Sequence, residues 1–353
     1  MRTSPGTLPR GDRPASLTSH AARASVRALI TGAAGFVGQW LTQALRAEHI
    51  EVTALALADD ATSHAMQHAE HRVGGARPRA PLTWRTGDLR DNHFVEAAVD
   101  AAQPDFVVHL AAISHLPTAA ADPAMAWDIN VTATARLLHH LERLRATGAV
   151  DPLVLLVGSA EQYGRQSGAA RALREDTPQA PRTVYAATKV AQEVMALQCW
   201  RATGLRVIVA RSFNHSGRGQ DPRFLLPALV ARAIALRDAL PNAPLTVGNT
   251  TPVRDFLHVS DVVSAYISLL QHGTPGEAYN VASGTGRSVQ DIVERVLARA
   301  GVHAPVVVDP ALVRPVDVPA LIGDPQKIHT ATGWRALRSF DDIIDDLIHA
   351  ATH

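Results

Sequence analysis

The chain is predicted to be an α/β protein, a doubly wound parallel sheet with a smaller C-terminal substrate-binding domain, on three observations. Short apolar and β-branched runs alternate with longer helical patterns from residue 26 onward. A glycine-spaced turn joins the first strand to the first helix, and the texture becomes turn-rich after residue 213. Such alternation is the pattern of a parallel sheet covered by helices.

Taken in order, the first 24 residues, "MRTSPGTLPRGDRPASLTSHAARA", carry four arginines, three prolines and one acid, without the apolar stretch of a secretion signal. They are expected to be a disordered extension outside the fold. "VRALIT" then reads as a strand, "VGQWLTQALRAEH" as a helix and "EVTALAL" as the second strand. "VGGARPRAP", residues 73 to 81, reads as a surface loop before "LTWRTGDL", and "FVVHLAA" and "LVLLVGS" read as later strands. Beyond residue 213, "NHSGRGQDP", "LPNAPLTVGNTTP" and "DPALVRPVDVP" separate shorter elements, as in a loop-rich domain that holds a substrate.

At 353 residues and 46% hydrophobic, the chain can bury one large core or two unequal ones. Lys plus Arg number 34 against 33 Asp plus Glu, so no overall field recruits nucleic acid or an anionic membrane, and basic residues must act locally. No apolar run approaches the ~18 residues that cross a bilayer. One cysteine, Cys199, excludes an internal disulfide and fits a reducing compartment, so a cytoplasmic location is expected. His64, His68 and His71 in "HAMQHAEH" have the spacing of one helical face, but no clear carboxylate or cysteine completes a ligand set, and no metal is expected.

"LITGAAGFVG" places Gly32, Gly35 and Gly38 between a strand and a helix that opens with Phe36 and Val37. Gly32 allows the tight turn, Gly35 the approach of backbone to a pyrophosphate and Gly38 close helix packing, a Rossmann-type reading that implies NAD(H) or NADP(H). Asp59 follows the second strand at the distance where a carboxylate accepts hydrogen bonds from the adenosine ribose, which favours NAD, although a solvated loop acid has the same spacing. Asp88 and Leu89 in "GDL" follow another strand and are expected near the adenine, Asp88 reading equally as a turn acid. The dinucleotide-binding domain is therefore set at 25–213, with part of 253–283 returning to it, and the substrate-binding domain mainly at 214–353.

Tyr185 and Lys189 in "VYAATK" are four apart and share a helix face, where an ammonium beside the phenol is expected to lower its pKa and leave Tyr185 exchanging a proton with a substrate oxygen. Ser159 ends the strand "PLVLLVGS", where ligands of open parallel sheets gather. If the chain stays extended beyond it, Glu161 projects to the same side and reaches the substrate too, its other reading being a loop acid.

The ordered motifs "TGAAGFVG", "GDL", "HLAA", "NV" at 130 to 131, "YAATK", "RSFNH" and "RDFLHVSDV" resemble the extended short-chain dehydrogenase/reductase family in its nucleotide-sugar branch, over about residues 25 to 350. The resemblance implies Ser159, Tyr185 and Lys189 as the catalytic triad, Leu110, Ala111 and Ala112 of "HLAA" at the cofactor, Asn130 as a structural and water-holding residue, and His115 at the sugar pocket. "FNHSGRGQ" and "RPVDVPALIGDPQKI" resemble enzymes of GDP-6-deoxyhexose synthesis, which implies a GDP-sugar substrate with Asn214, Arg218, Arg254 and Arg314 at its diphosphate or ribose. Two activities of that branch compete. One is NAD(P)H-dependent reduction of the C4 ketone of a GDP-4-keto-6-deoxy sugar, hexose or heptose, to a GDP-6-deoxy sugar such as GDP-rhamnose. The other is GDP-mannose 4,6-dehydration, with Glu161 as acid and base. Ala160 stands where many sugar dehydratases carry an aspartate, and "NHSGRGQDPRFLLP" lacks the "SPRRGE" type of segment, so reduction is expected. A non-catalytic dinucleotide sensor would often have lost a triad residue, and an epimerase would show a cysteine and histidine pair, whereas Cys199 reads as packing. The resemblance also implies a homodimer or homotetramer through the tyrosine helix, with Val190, Val194, Leu197 and Cys199 available to that contact or to the core.

Overall fold

In the computed structural model the described residues are 25–58, 80–166, 172–237, 243–313 and 318–352. The N-terminal extension, Asp59, the three histidines of "HAMQHAEH", most of the loop at 73–81 and Arg314 lie outside them.

Six strands form in succession: β1 (Arg27–Thr31), β2 (Glu51–Ala56), β3 (Leu82–Thr86), β4 (Phe106–His109), β5 (Leu153–Ser159) and β6 (Val207–Ser212). Later in the chain come β7 (Asn214–Ser216), β8 (Leu245–Val247), β9 (Val253–His258), β10 (Ala278–Val281), β11 (Gly286–Ser288), β12 (Val306–Val308) and β13 (Ala320–Leu321). The main sheet is parallel throughout, in the order β10-β6-β5-β4-β1-β2-β3. Chain order reverses between β1 and β4, so a crevice opens at their carboxyl ends, where open α/β sheets bind ligands.

The central strands read as continuous apolar runs because both faces are covered. On one face Leu41 and Leu45 of the helix Phe36–Ala47 pack with Tyr266 and Leu269 of the helix Val259–His272. The other face buries Val95, Val99, Leu137, Leu141, Ala196 and Cys199 from three helices. Cys199 is therefore core, as is Leu197 at its margin, while Val194 is 58% exposed.

The second part of the chain builds a smaller sheet, β11-β9-β13 with β7 also pairing β9, and a two-stranded ladder of β12 with β8. Its own core gathers Leu229, Val293, Val296, Ile343 and Ile344 from the helices Leu225–Arg237, Val289–Ala300 and Phe340–Thr352. β10 then returns to the edge of the main sheet beside β6. No helix among the described residues is long and apolar enough to cross a membrane.

Candidate active site

A cavity of about 890 Å³ runs over the carboxyl ends of the main sheet and down to the smaller sheet. Its floor begins at the glycine turn. Gly32 has φ +70, and a Cβ there would lie 2.9 Å from the backbone of Ala111. At Gly38 a Cβ would come within 2.3 Å of the Gly32 carbonyl oxygen, so only glycine lets the helix Phe36–Ala47 seat this close to the turn. Gly35 caps that helix without any side-chain bond, which leaves first-turn N–H groups to a ligand. This cradle, continuous with Leu110, Ala111 and Ala112 and with Asp88 and Leu89, fits a dinucleotide pyrophosphate and its adenosine.

Asp88 is less free than its spacing implied. Arg90 holds it through Nη2 to Oδ2 at 2.6 Å, and that bond keeps the carboxyl below its ordinary range. Its Oδ1 also accepts the Arg90 N–H at 2.8 Å, so the turn role and the place on the cavity wall coexist.

At the far end stand Ser159, Tyr185 and Lys189. The helix Val184–Thr203 starts at Thr183, whose hydroxyl accepts the Ala186 N–H, and ends at Gly204 with φ +74. It presents Tyr185 and Lys189 to the cavity wall, which Ser159 shares, its hydroxyl near enough to act on the Tyr185 phenol. Lys189 donates through Nζ to the Val157 carbonyl at 2.8 Å, with Nζ 5.9 Å from the Tyr185 ring centre. The expected lowering of the tyrosine pKa is not what the arrangement produces. Burial pushes Tyr185 up to about 12, the Ser159 bond opposing and the Glu161 charge adding to the rise. Burial also takes Lys189 down to about 7, which weakens the ammonium as a partner for a phenolate.

The chain does not stay extended after Ser159. β5 ends there and a 3-10 turn, Ala160–Tyr163, begins at once, with Ser159 Oγ accepting the Glu161 N–H at 3.2 Å and Gln162 Oε1 accepting the Ser159 N–H at 2.7 Å. Glu161 still lines the cavity, but through the turn rather than by strand alternation. Ala160 points into a small apolar cluster with Tyr163 and Phe213.

Asn130 sits in a π-helical turn, Asp128–Thr132, fully buried. Its side chain bridges the backbone of Ile113 to the Thr188 hydroxyl, tying the end of β4 to the tyrosine helix. Next to it His109 bonds Thr31 and Thr134 through its two ring nitrogens, and burial followed by the Lys189 charge drives its pKa down to about 3.

Of the residues expected at the substrate, His115, Glu161, Asn214 and Arg254 line the cavity. His115 bonds Thr118 and meets Phe224 edge-on. Arg254 is fixed by donating to the carbonyls of Val253 at 2.9 Å and Val318 at 2.7 Å. Arg218 does not join them. Its guanidinium lies 5.4 Å from the centre of the Trp40 ring, outside the wall, because its N–H is held by Asp346 and its carbonyl by the Trp40 indole.

Residue by residue, a match to known sequences extends over almost the whole of this architecture. The family model described as GDP-mannose 4,6 dehydratase matches residues 29–347. The chain belongs to the GDP-mannose 4,6-dehydratase family. It is 33% identical over 309 residues to GDP-6-deoxy-D-mannose reductase of Pseudomonas aeruginosa, covering 88% of this chain and 91% of that one. With GDP-6-deoxy-D-talose 4-dehydrogenase of Aggregatibacter actinomycetemcomitans the identity is 29%, over 87% of this chain and 92% of the other. The fold superposes on RMD from Pseudomonas aeruginosa, solved in complex with NADPH, with a TM-score of 0.77 at 30% identity, spanning 93% of this chain and 99% of that structure.

This family member also lines its cavity with residues that sequence reasoning passed over. Arg223 pairs with Asp221 at 3.0 Å and Arg232 donates to the Thr246 carbonyl at 2.6 Å, both lining the same cavity as Arg254. Neither carries a local motif: Arg232 lies in an ordinary helical run, and only the fold brings β8 against it.

Proposed function

We propose that this protein reduces the C4 ketone of a GDP-4-keto-6-deoxy sugar with NADH or NADPH. The observation that carries the reading is that Ser159, Tyr185 and Lys189 meet on one cavity wall, with the Ser159 hydroxyl acting on the Tyr185 phenol, Glu161 on the same wall and an apolar Ala160 beside it. Reduction requires a protonated phenol, and a pKa of about 12 keeps Tyr185 protonated across the neutral range. A bound reduced nicotinamide supplies the hydride. Ser159 and Tyr185 hold the carbonyl oxygen, and Tyr185 gives it a proton as the carbon becomes tetrahedral. Arg223, Arg232 and Arg254 give the C-terminal part of the cavity three guanidinium groups, the complement of a nucleoside diphosphate. The extensive match to a GDP-6-deoxy-D-mannose reductase supports the same substrate class.

Elimination is the second reading, favoured by Glu161 on the wall and by its charge acting on Tyr185. It demands removal of a proton at C5 and delivery of one to the leaving C6 hydroxyl, and one carboxylate would have to do both in turn. The deciding experiment offers the purified protein GDP-4-keto-6-deoxymannose with NADH or NADPH. Reductant oxidation with a two-hydrogen mass gain in the sugar supports the reductase; water loss from GDP-mannose without added reductant overturns it.

The exposed Trp127 and Val194, on elements that pack beside each other at the tyrosine helix, support a homodimer through that face, and the lone buried Cys199 suits the cytoplasm.

A further inference from the structure

The wall that carries Ser159 holds a second pair of hydroxyls that the proton transfer does not use. Ser212 ends β6 directly opposite Ser159 in the parallel register of β5 and β6. Tyr266, from the helix Val259–His272, places its phenol oxygen 2.6 Å from Ser212 Oγ, and both residues line the cavity. The register beside Ser159 and the shared cavity wall put this pair next to the proposed proton donor, Tyr185.

The Tyr266 ring belongs to the apolar core with Ile208, Ala210 and Leu269, a place phenylalanine would fill equally well. What needs a reason is the hydroxyl. A buried phenol is costly unless its proton is used, and Ser212 is the partner the structure gives it. With Tyr266 donating, the Ser212 proton is left to point elsewhere. Ser212 is 7% exposed and Tyr266 wholly buried, so that elsewhere is the cavity. The pair thus presents one directed O–H beside Tyr185.

The chemistry it fits is a carboxamide oxygen. In a dihydronicotinamide the carboxamide is borne on the ring carbon next to the hydride carbon, and the hydride must reach the same carbonyl that Tyr185 protonates. We infer that Ser212, oriented by Tyr266, is the hydrogen-bond donor to the nicotinamide carboxamide. The inference rests on the dinucleotide-dependent reading above, and names residues of this chain that orient the ring.

Binding, without turnover, tests it. Dissociation constants are measured by calorimetry for NADH and NADPH and for their truncated forms, ADP-ribose and 2′-phospho-ADP-ribose, with the wild type, Ser212→Ala and Tyr266→Phe. Ser212→Ala should weaken the full dinucleotide by roughly three- to tenfold, the range of one net hydrogen bond, and leave the truncated form unchanged. Tyr266→Phe should weaken it in the same selective way by a smaller factor. Equal weakening of full and truncated ligands would show a packing role and overturn the inference, as would no change in either. Intact ADP-ribose binding also shows that a variant has folded. A wild type that binds none of the four ligands refutes the dinucleotide reading itself, a different result from either.

Discussion

Glu193 and Arg211 meet in a two-pronged ion pair inside the protein, Oε1 to Nη2 at 2.5 Å and Oε2 to Nε at 3.0 Å. Glu193 lies at the next step of four beyond Tyr185 and Lys189 on the same helix, and it also accepts from Gln162 Nε2 at 2.7 Å. Gln162 in turn accepts the Ser159 N–H. The helix that bears the tyrosine and lysine therefore holds the strand end that bears the serine, through one glutamate and one glutamine. Arg211 extends the brace to the Tyr163 hydroxyl, which donates to Asn280 on β10.

Glu193→Ala leaves the buried Arg211 guanidinium without its carboxylate. Removing one partner of a buried pair costs about 3–5 kcal/mol, so the denaturant midpoint should fall sharply. An unchanged midpoint would show that Arg211 finds another partner.

Tyr185→Phe removes the proposed proton donor and keeps the ring. Turnover should fall by about 10²–10⁴-fold, the usual weight of a positioned acid, with cofactor affinity nearly unchanged. Near-normal turnover in the variant would take the proton from another group.

Glu161→Gln separates the two activities. The carboxylate raises the Tyr185 pKa, so its neutral replacement should lower that pKa and move the alkaline limb of kcat/KM to lower pH. Reduction should survive within about tenfold, whereas elimination would be lost. A limb that stays in place would mean the two groups do not interact in the working enzyme.

Gly38→Ala tests the cradle. The added methyl would meet the Gly32 carbonyl and the Ala33 backbone, neither of which is a flexible side chain, so the turn must shift. Dinucleotide affinity should drop by more than about tenfold with the C-terminal half of the cavity intact. Unaltered binding would place the pyrophosphate elsewhere.

The placement of the glycine turn, Ser159, Tyr185 and Lys189 at one cavity was legible in the sequence because each position depends on local backbone: a strand end, a turn and one helix face. Arg218 misled because its motif says that an arginine is present but not which way a loop turns it, and Trp40 and Asp346, both far away in sequence, decide that. Glu161 kept its place though the extended strand imagined for it does not exist. The tyrosine pKa went the other way from expectation because spacing reveals a nearby ammonium but not how far the surrounding fold desolvates each group. Arg232, Gln162 and the Ser212–Tyr266 pair escaped altogether, since each is defined by a tertiary contact.

Lys189 should be bought at a loss of stability that depends on pH. It is buried, its Nζ donates to the Val157 carbonyl, and burial moves its pKa from 10.5 to about 7. Below about pH 7 the lysine is charged in both folded and unfolded chains, and the folded state bears the full cost of a buried charge. Between 7 and 10.5 the unfolded chain binds the extra proton, so stability rises with pH, and above 10.5 the cost has gone. Lys189→Met should therefore stabilise the cofactor-free protein by on the order of a few kcal/mol at or below neutrality, less the lost Val157 bond, while abolishing turnover. The gain should shrink as pH climbs toward 10.5, which urea midpoints of both proteins from about pH 6 to about pH 10 would reveal. A gain that stays constant or grows with pH would mean that Lys189 is charged and well solvated in the folded chain, and its catalytic role would then need no desolvated amine.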